Sequence, residues 1–100
     1  MSNSVYFCSC KLKKDTSIPD FLLAAEKLNN EYISKQKGYI SWKQLVDGEL
    51  WLDLVTFETM EDVKNFVESS NTPNEFSEKY FSLVDLNSCT EHFFSVERSY

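Results

Sequence analysis

Two hydrophobic periods alternate along the chain. Residues 5–13, VYFCSCKLK, are β-branched and aromatic at first and then charged, which predicts a strand. Asp15 to Ser17 read as a turn, and Ser17 with Asp20 three positions on resembles a capping box, with Pro19 in the first turn. Apolar residues then recur at 18, 21, 22, 25, 28 and 32, the 3.6-residue period of an amphipathic helix, with Gly38 as its stop and Lys35 and Lys37 in its last turn. The period falls to two in YISWKQLV and ELWLDLVTF, on either side of Asp47-Gly48. Asp-Gly between alternating runs predicts a hairpin, here with a type I′ turn. That turn sets Val46 opposite Glu49, Gln44 opposite Trp51, Trp42 opposite Asp53, and Ile40 opposite Val55.

Thr59 caps a second helix with Asp62 at the box position and Val63, Phe66 and Val67 as its apolar stripe. Ser69 to Thr72 break it, and Thr72, Pro73 and Glu75 restart a helix whose inner face carries Phe76, Tyr80 and Leu83. Asp85 to Ser88 form a loop, and CTEHFFSVERSY is a last strand. The order is β-α-β-β-α-β, an α+β ferredoxin-like pattern. Its expected form is a four-stranded antiparallel sheet in order 4-1-3-2, with the helices on one face and the other face open. The 100 residues form a single domain, 1–100, with one core.

Alternation sorts the third strand into two rows. Leu50, Leu52 and Leu54 point one way; Trp51, Asp53, Val55 and Phe57 point the other. The pure leucine row is the natural partner for the helices. The mixed row, with Ile40, Trp42 and Gln44 of the second strand, then falls on the open face. So large an apolar patch predicts a homodimer in which two sheets meet, with Asp53 in or near a cavity between them.

Composition narrows the partners. A net charge of −6 with only Lys11, Lys13 and Lys14 as a basic cluster argues against nucleic acid and against an anionic membrane. No stretch is apolar enough to span a bilayer, and MSNSVYFCSC is not a secretion signal, which makes the cytoplasm the expected location. Three cysteines, Cys8, Cys10 and Cys89, argue against a disulfide framework. Cys8 and Cys10 share a strand face, as buried small hydrophobes, as reactive thiols or, with Cys89, as a metal site; their spacing is not a familiar zinc pattern, and no metal is expected. Gly38 and Gly48 are the only glycines, too few for a phosphate-binding loop.

Chemistry-bearing residues are few. Asp53 is either a pocket carboxylate, whose pKa an apolar cavity raises into a useful range, or a structural acceptor for indole N–H groups or a dimer contact. His92, the only histidine, is either a general acid or base facing the same cavity or a hydrogen-bonded core or edge residue, since its row also holds Phe94 and Val96. Ser9 is the alternative second polar group. Trp42 and Trp51 are walls of an aromatic pocket or dimer core, and Gln44, Val55 and Phe57 complete the candidate lining.

Three stretches, FLLAAEKLNNEYISKQKGYISWKQL, DGELWLDLVTFETMEDVKNF and EHFFSVERSY, resemble the dimeric α+β barrel proteins, near the antibiotic-biosynthesis-type monooxygenases. The Trp-x-Asp strand running into Thr-Met-Glu-Asp carries the resemblance furthest. It implies a homodimer with one small-molecule pocket per subunit. In the monooxygenase branch it implies oxygen chemistry without metal or flavin cofactor, because an electron-rich aromatic substrate reacts with oxygen itself. Asp53 and His92 would be the catalytic pair, lined by Trp42, Trp51, Gln44, Val55, Phe57 and Ser9. Phe57 stands where the family often has Trp, and no haem-oxygenase-type set of Asn, Trp and His can be matched. The other reading is a non-catalytic effector-binding or structural dimer of the same fold.

Overall fold

The computed structural model describes residues 3–69, 72 and 74–100. The elements run β1 (Ser4–Leu12), α1 (Ile18–Glu31), a 3₁₀ turn (Ile33–Lys35), β2 (Tyr39–Asp47), β3 (Leu50–Phe57), α2 (Met60–Ser69), α3 (Glu75–Ser82) and β4 (Val84–Ser95). The four strands form one antiparallel sheet in the order β2-β3-β1-β4, the arrangement the sequence predicts.

The helix starts follow local chemistry. The Ser17 side chain accepts from the Asp20 backbone N–H, and the Thr59 hydroxyl from that of Asp62, so each cap satisfies an otherwise orphaned donor. The third cap differs from expectation. Asn74 rather than Thr72 caps α3, accepting from the N–H groups of Phe76 and Ser77; Pro73 lies outside the described residues. The first helix also stops early, at Glu31, and a 3₁₀ turn leads to Gly38. Gly38 has φ of +80°, and the Asp62 side chain occupies the space a Cβ would need. Gly38 is therefore a close-approach glycine between the 3₁₀ turn and β2, not the cap of a long helix.

The hairpin turn is displaced by one residue. Asp47 pairs with Leu50, leaving Gly48-Glu49 as the two-residue loop. Gly48 has φ of +60° and Glu49 has no positive φ, which matches a type II′ turn with glycine first. The register moves by two: Val46 faces Trp51, Gln44 faces Asp53 and Trp42 faces Val55. Ile40 is left in a bulge between Tyr39 and Ser41, its side chain exposed. At the other edge, the expected loop 85–88 is a bulged part of β4, where pairing slips between Ser9 and Lys11.

The faces are the reverse of those expected. Val55 and Phe57 are fully buried with Phe21, Ala24, Ala25, Leu28, Val63, Phe66 and Tyr80 in the sheet–helix core. Phe57 packs on Phe66, and Trp51 lies edge-on to Phe21. The mixed row therefore faces the helices. The leucine row lies on the uncovered face, with Leu50 38% exposed beside Leu45 at 45%. The physical reason is volume. Aromatic rings fill the space beneath the helices, and Asp53 among them finds donors there.

A buried carboxylate at the floor of a sheet–helix cavity

Asp53 is only 7% exposed and lies in a transverse row, Gln44–Asp53–Cys8–Glu91, that crosses all four strands on the helix-facing side. Its oxygens are not isolated. The Trp42 indole N–H donates to Oδ1 at 3.1 Å. The Tyr80 hydroxyl donates to the carboxylate from 3.0 and 2.9 Å, and itself accepts from Gln44 Nε2 at 3.3 Å. Tyr80 is held by stacking on Phe21 and by edge contacts with Trp42 and Phe81, so its hydroxyl has one place to go. Among the described residues no buried side-chain nitrogen or oxygen lacks a partner. That is how an apolar strand carries a carboxylate: β2 and α3 supply the donors that burial demands.

Burial still dominates its titration. Desolvation pushes the Asp53 carboxyl above the usual carboxylate range, and the hydrogen bonds from Tyr80, Trp42 and Gln44 only partly offset it. Tyr80 moves the same way: burial and the neighbouring Asp53 charge hold its hydroxyl protonated. The site thus combines a carboxylate of increased basicity with a phenol fixed as a donor.

Above this group lies a cavity of about 480 Å³. The sheet contributes Tyr6, Cys8, Trp42, Asp53, Val55, Cys89 and Glu91; α1 and the 3₁₀ segment contribute Leu28, Tyr32 and Ile33; α2 and α3 contribute Phe66, Ser77, Tyr80 and Phe81. A cavity of this size suits a ligand of two or three fused rings. A second carboxylate–phenol pair stands at its open side, where the Tyr6 hydroxyl donates to Glu91 Oε2 at 2.6 Å. Burial and this bond to Glu91 keep Tyr6 protonated.

Of the residues singled out from the sequence, Asp53, Trp42 and Val55 line the cavity, and Gln44 joins it through Tyr80. Trp51 and Phe57 pack in the core beside it and are not in its lining. Two placements are corrected. His92 pairs with Phe7 and stacks on Phe94 on the open face, across the sheet from Asp53. Ser9 points the same way and bonds Thr90. Adjacent residues on a strand alternate faces, so once Cys8 shares the Asp53 row, Ser9 cannot. The cavity itself lies between the sheet and its own helices, not between two sheets.

Sequence reasoning passed over Tyr80, Tyr6 and Glu91. Tyr80 had a signal: a tyrosine on the inner face of a helix must find a partner for its hydroxyl, and Asp53 was the one carboxylate in want of donors. Cys8 and Cys10 do share the buried helix-facing side, and Cys89 lies close to them, its thiol pushed up by burial. Among the described residues no group of three or more His, Cys, Asp or Glu side chains is placed to hold a metal ion. Nor is any described helix long and apolar enough to cross a membrane.

No family model matches the sequence, and no curated protein sequence matches it either. Solved structures do. SnoaB, a cofactor-independent oxygenase from Streptomyces nogalater, superposes with a TM-score of 0.75 over 99% of this chain and 97% of its own, at 7% identity. A protein of Bordetella bronchiseptica described as a candidate antibiotic biosynthesis monooxygenase gives 0.75 at 11% identity, over 94% and 96% of the two chains. The chain has the fold of these monooxygenase-type ferredoxin-like proteins. A protein from an uncultured marine organism, described as a dimeric ferredoxin-like protein, gives 0.66 at 12% identity, covering 100% of this chain and 92% of that one. At such identities the likeness establishes the fold, and the activity rests on the site.

Proposed function

We propose that this chain binds a molecule with an apolar aromatic body in the sheet–helix cavity and oxygenates it without a cofactor. The observation that carries the reading is the position of Asp53. It is a carboxylate of raised pKa at the floor of an apolar cavity, flanked by a phenol held as a donor. In such a step Asp53 accepts a proton from an acidic C–H or O–H of the ligand. The resulting carbanion gives an electron to dioxygen, and the two radicals join in a carbon–oxygen bond. The peroxide anion takes the proton back from Asp53, and loss of water with the hydrogen remaining on that carbon leaves a carbonyl. Tyr80 and Trp42 hold the Asp53 carboxylate in place, and the apolar walls keep water from the anion. The likeness of fold to a cofactor-independent oxygenase supports this reading.

Oxygen uptake with a panel of phenols, anthrones and quinols tests it. Turnover of at least one is expected, falling about 100-fold or more in Asp53→Asn, the range of a lost general base. Tight binding by calorimetry without uptake across the panel would favour the second reading, a non-catalytic binder. The engagement of both Asp53 oxygens by Tyr80 and Trp42 favours that second reading, since a purely structural acceptor looks the same.

A homodimer belongs to the same proposal, by the face opposite the one the sequence suggested. Leu45, Leu50, Leu52, Leu54, Phe7 and Phe94 make an apolar patch on the uncovered side of the sheet. Closing two such faces would cover it while leaving each cavity within its own subunit.

A further inference from the structure

The charge of the cavity wall goes beyond what an oxygenase pocket requires. Among the described residues its lining contains two carboxylates, Asp53 and Glu91, and no Lys, Arg or His. The two are placed at opposite depths. Asp53 is buried at the floor, while Glu91 is exposed at the rim. Both flank Cys8 in the same cross-strand row, so their backbones stand two strand spacings apart, about 10 Å. That is about the length of a three-ring aromatic body. The wall between them is aromatic on several sides, with Tyr6, Tyr32, Trp42, Phe66 and Phe81. At the rim, Tyr6 engages Glu91 through Oε2, and its ring rests on Phe66 and Phe93, so the carboxylate is held in one position over the opening.

We propose that this pocket selects an aromatic ligand bearing a protonated amine, seated with its nitrogen against Glu91 at the rim and its ring system pointing toward Asp53. The inference rests on the cavity being the binding site, and it names the ligand class. An anionic ligand meets two carboxylates and no cation to offset them, and pays desolvation in an apolar site. An ammonium at the rim keeps part of its hydration, gains a charge-assisted hydrogen bond to Glu91, and lies among ring faces that attract cations. Asp53 at the far end is left to handle the proton of the ring system.

The test uses three probes with one ring body: 9-aminomethylanthracene, 9-hydroxymethylanthracene and 9-anthracenecarboxylate. Binding is followed by anthracene fluorescence and calorimetry to the full chain and to Glu91→Gln. The amine is expected to bind about tenfold or more tighter than the alcohol, the gain of one hydrogen bond to a charged group, with the carboxylate weakest. In Glu91→Gln the amine should fall to the level of the alcohol, and the alcohol should not change. Because Glu91 is exposed at the rim, the isosteric amide leaves the fold intact. If all three probes bind equally, or the carboxylate binds best, the charge selection is wrong while the cavity reading stands. An amine preference that survives Glu91→Gln comes from Asp53 or from the net negative charge of the surface, and overturns the seat at the rim. If none of the three binds, the cavity reading fails, and the ligand class with it.

Discussion

The two faces of one sheet carry nearly the same number of large apolar side chains and do opposite things with them. On the helix side, Phe57, Val55 and Trp51 are packed among rings of α1, α2 and α3, and the row includes Asp53. On the other side, Leu45, Leu50, Leu52 and Leu54 meet Phe7, His92 and Phe94 on the face away from the described helices. A row of pure leucines is thus on the side without helices, and the row with a carboxylate is the core. Hydrophobicity alone ranks the two the wrong way round. Ring volume fills the helix side, and the carboxylate is tolerated there because Trp42 and Tyr80 donate to it.

The sharpest way to break that comparison is to truncate one residue from each face. Phe57→Ala should cost about 3–5 kcal/mol, the range for deleting a fully buried ring. Leu50→Ala should cost at most about 0.5 kcal/mol in the monomeric concentration range, as surface substitutions do. Urea unfolding of the two variants checks both. A cost at Leu50 near that at Phe57 would mean the faces are equally packed.

Next in size is Asp53→Ala, which leaves the Trp42 N–H and the Tyr80 hydroxyl buried without an acceptor. The expected loss is about 3 kcal/mol, several times what an exposed carboxylate returns on removal. Little change in the unfolding midpoint would show that the carboxylate is not what satisfies those donors.

A smaller effect appears in pH. The folded pKa of Asp53 is raised above that of the unfolded chain, so between the two values the folded state holds the extra proton. Its contribution to stability is therefore greatest below about pH 3.9, declines as pH rises toward the folded value, and is level above it. Asp53→Asn removes this dependence. The difference in unfolding free energy between wild type and variant, followed from acid to neutral pH, should move against the wild type with rising pH. The opposite slope would mean that the hydrogen bonds outweigh burial.

The smallest effect on folding is expected from Leu45→Glu, within about 0.5 kcal/mol for an exposed position. Its readout lies elsewhere. If the open face joins two copies, light scattering across a dilution series should show the wild type as a dimer and this variant as a monomer. A dimer that survives the charge would place the interface off the leucine face.

How far the sequence carried is clear from particular residues. Element order and strand order were legible because period and capping are local: Ser17 and Thr59 cap where their side chains predict. The hairpin register was not, because Asp47-Gly48 and Gly48-Glu49 are both plausible loops and differ by two positions across the ladder. Nor was the role of Gly38, which read as a helix stop, because Asp62, distant in sequence, fills the space beside it. At the site, Asp53 and Trp42 were visible as a pair. Tyr80 and Glu91 were not, because the contacts that matter join residues 27 and 85 positions apart, Asp53 to Tyr80 and Tyr6 to Glu91. His92 was misplaced because a lone histidine in an apolar row reads the same on either face.

The central claim is that a ligand enters between the sheet and its helices, over Asp53. Intermolecular NOEs from bound 9-hydroxymethylanthracene to methyl-labelled protein test it most directly, because the two faces carry different methyl groups. The account predicts contacts to the methyls of Leu28, Ile33 and Val55, which line the cavity, and none to Leu45, Leu50, Leu52 or Leu54. Contacts to the leucine row instead would contradict it, and would return the binding site to the open face of the sheet.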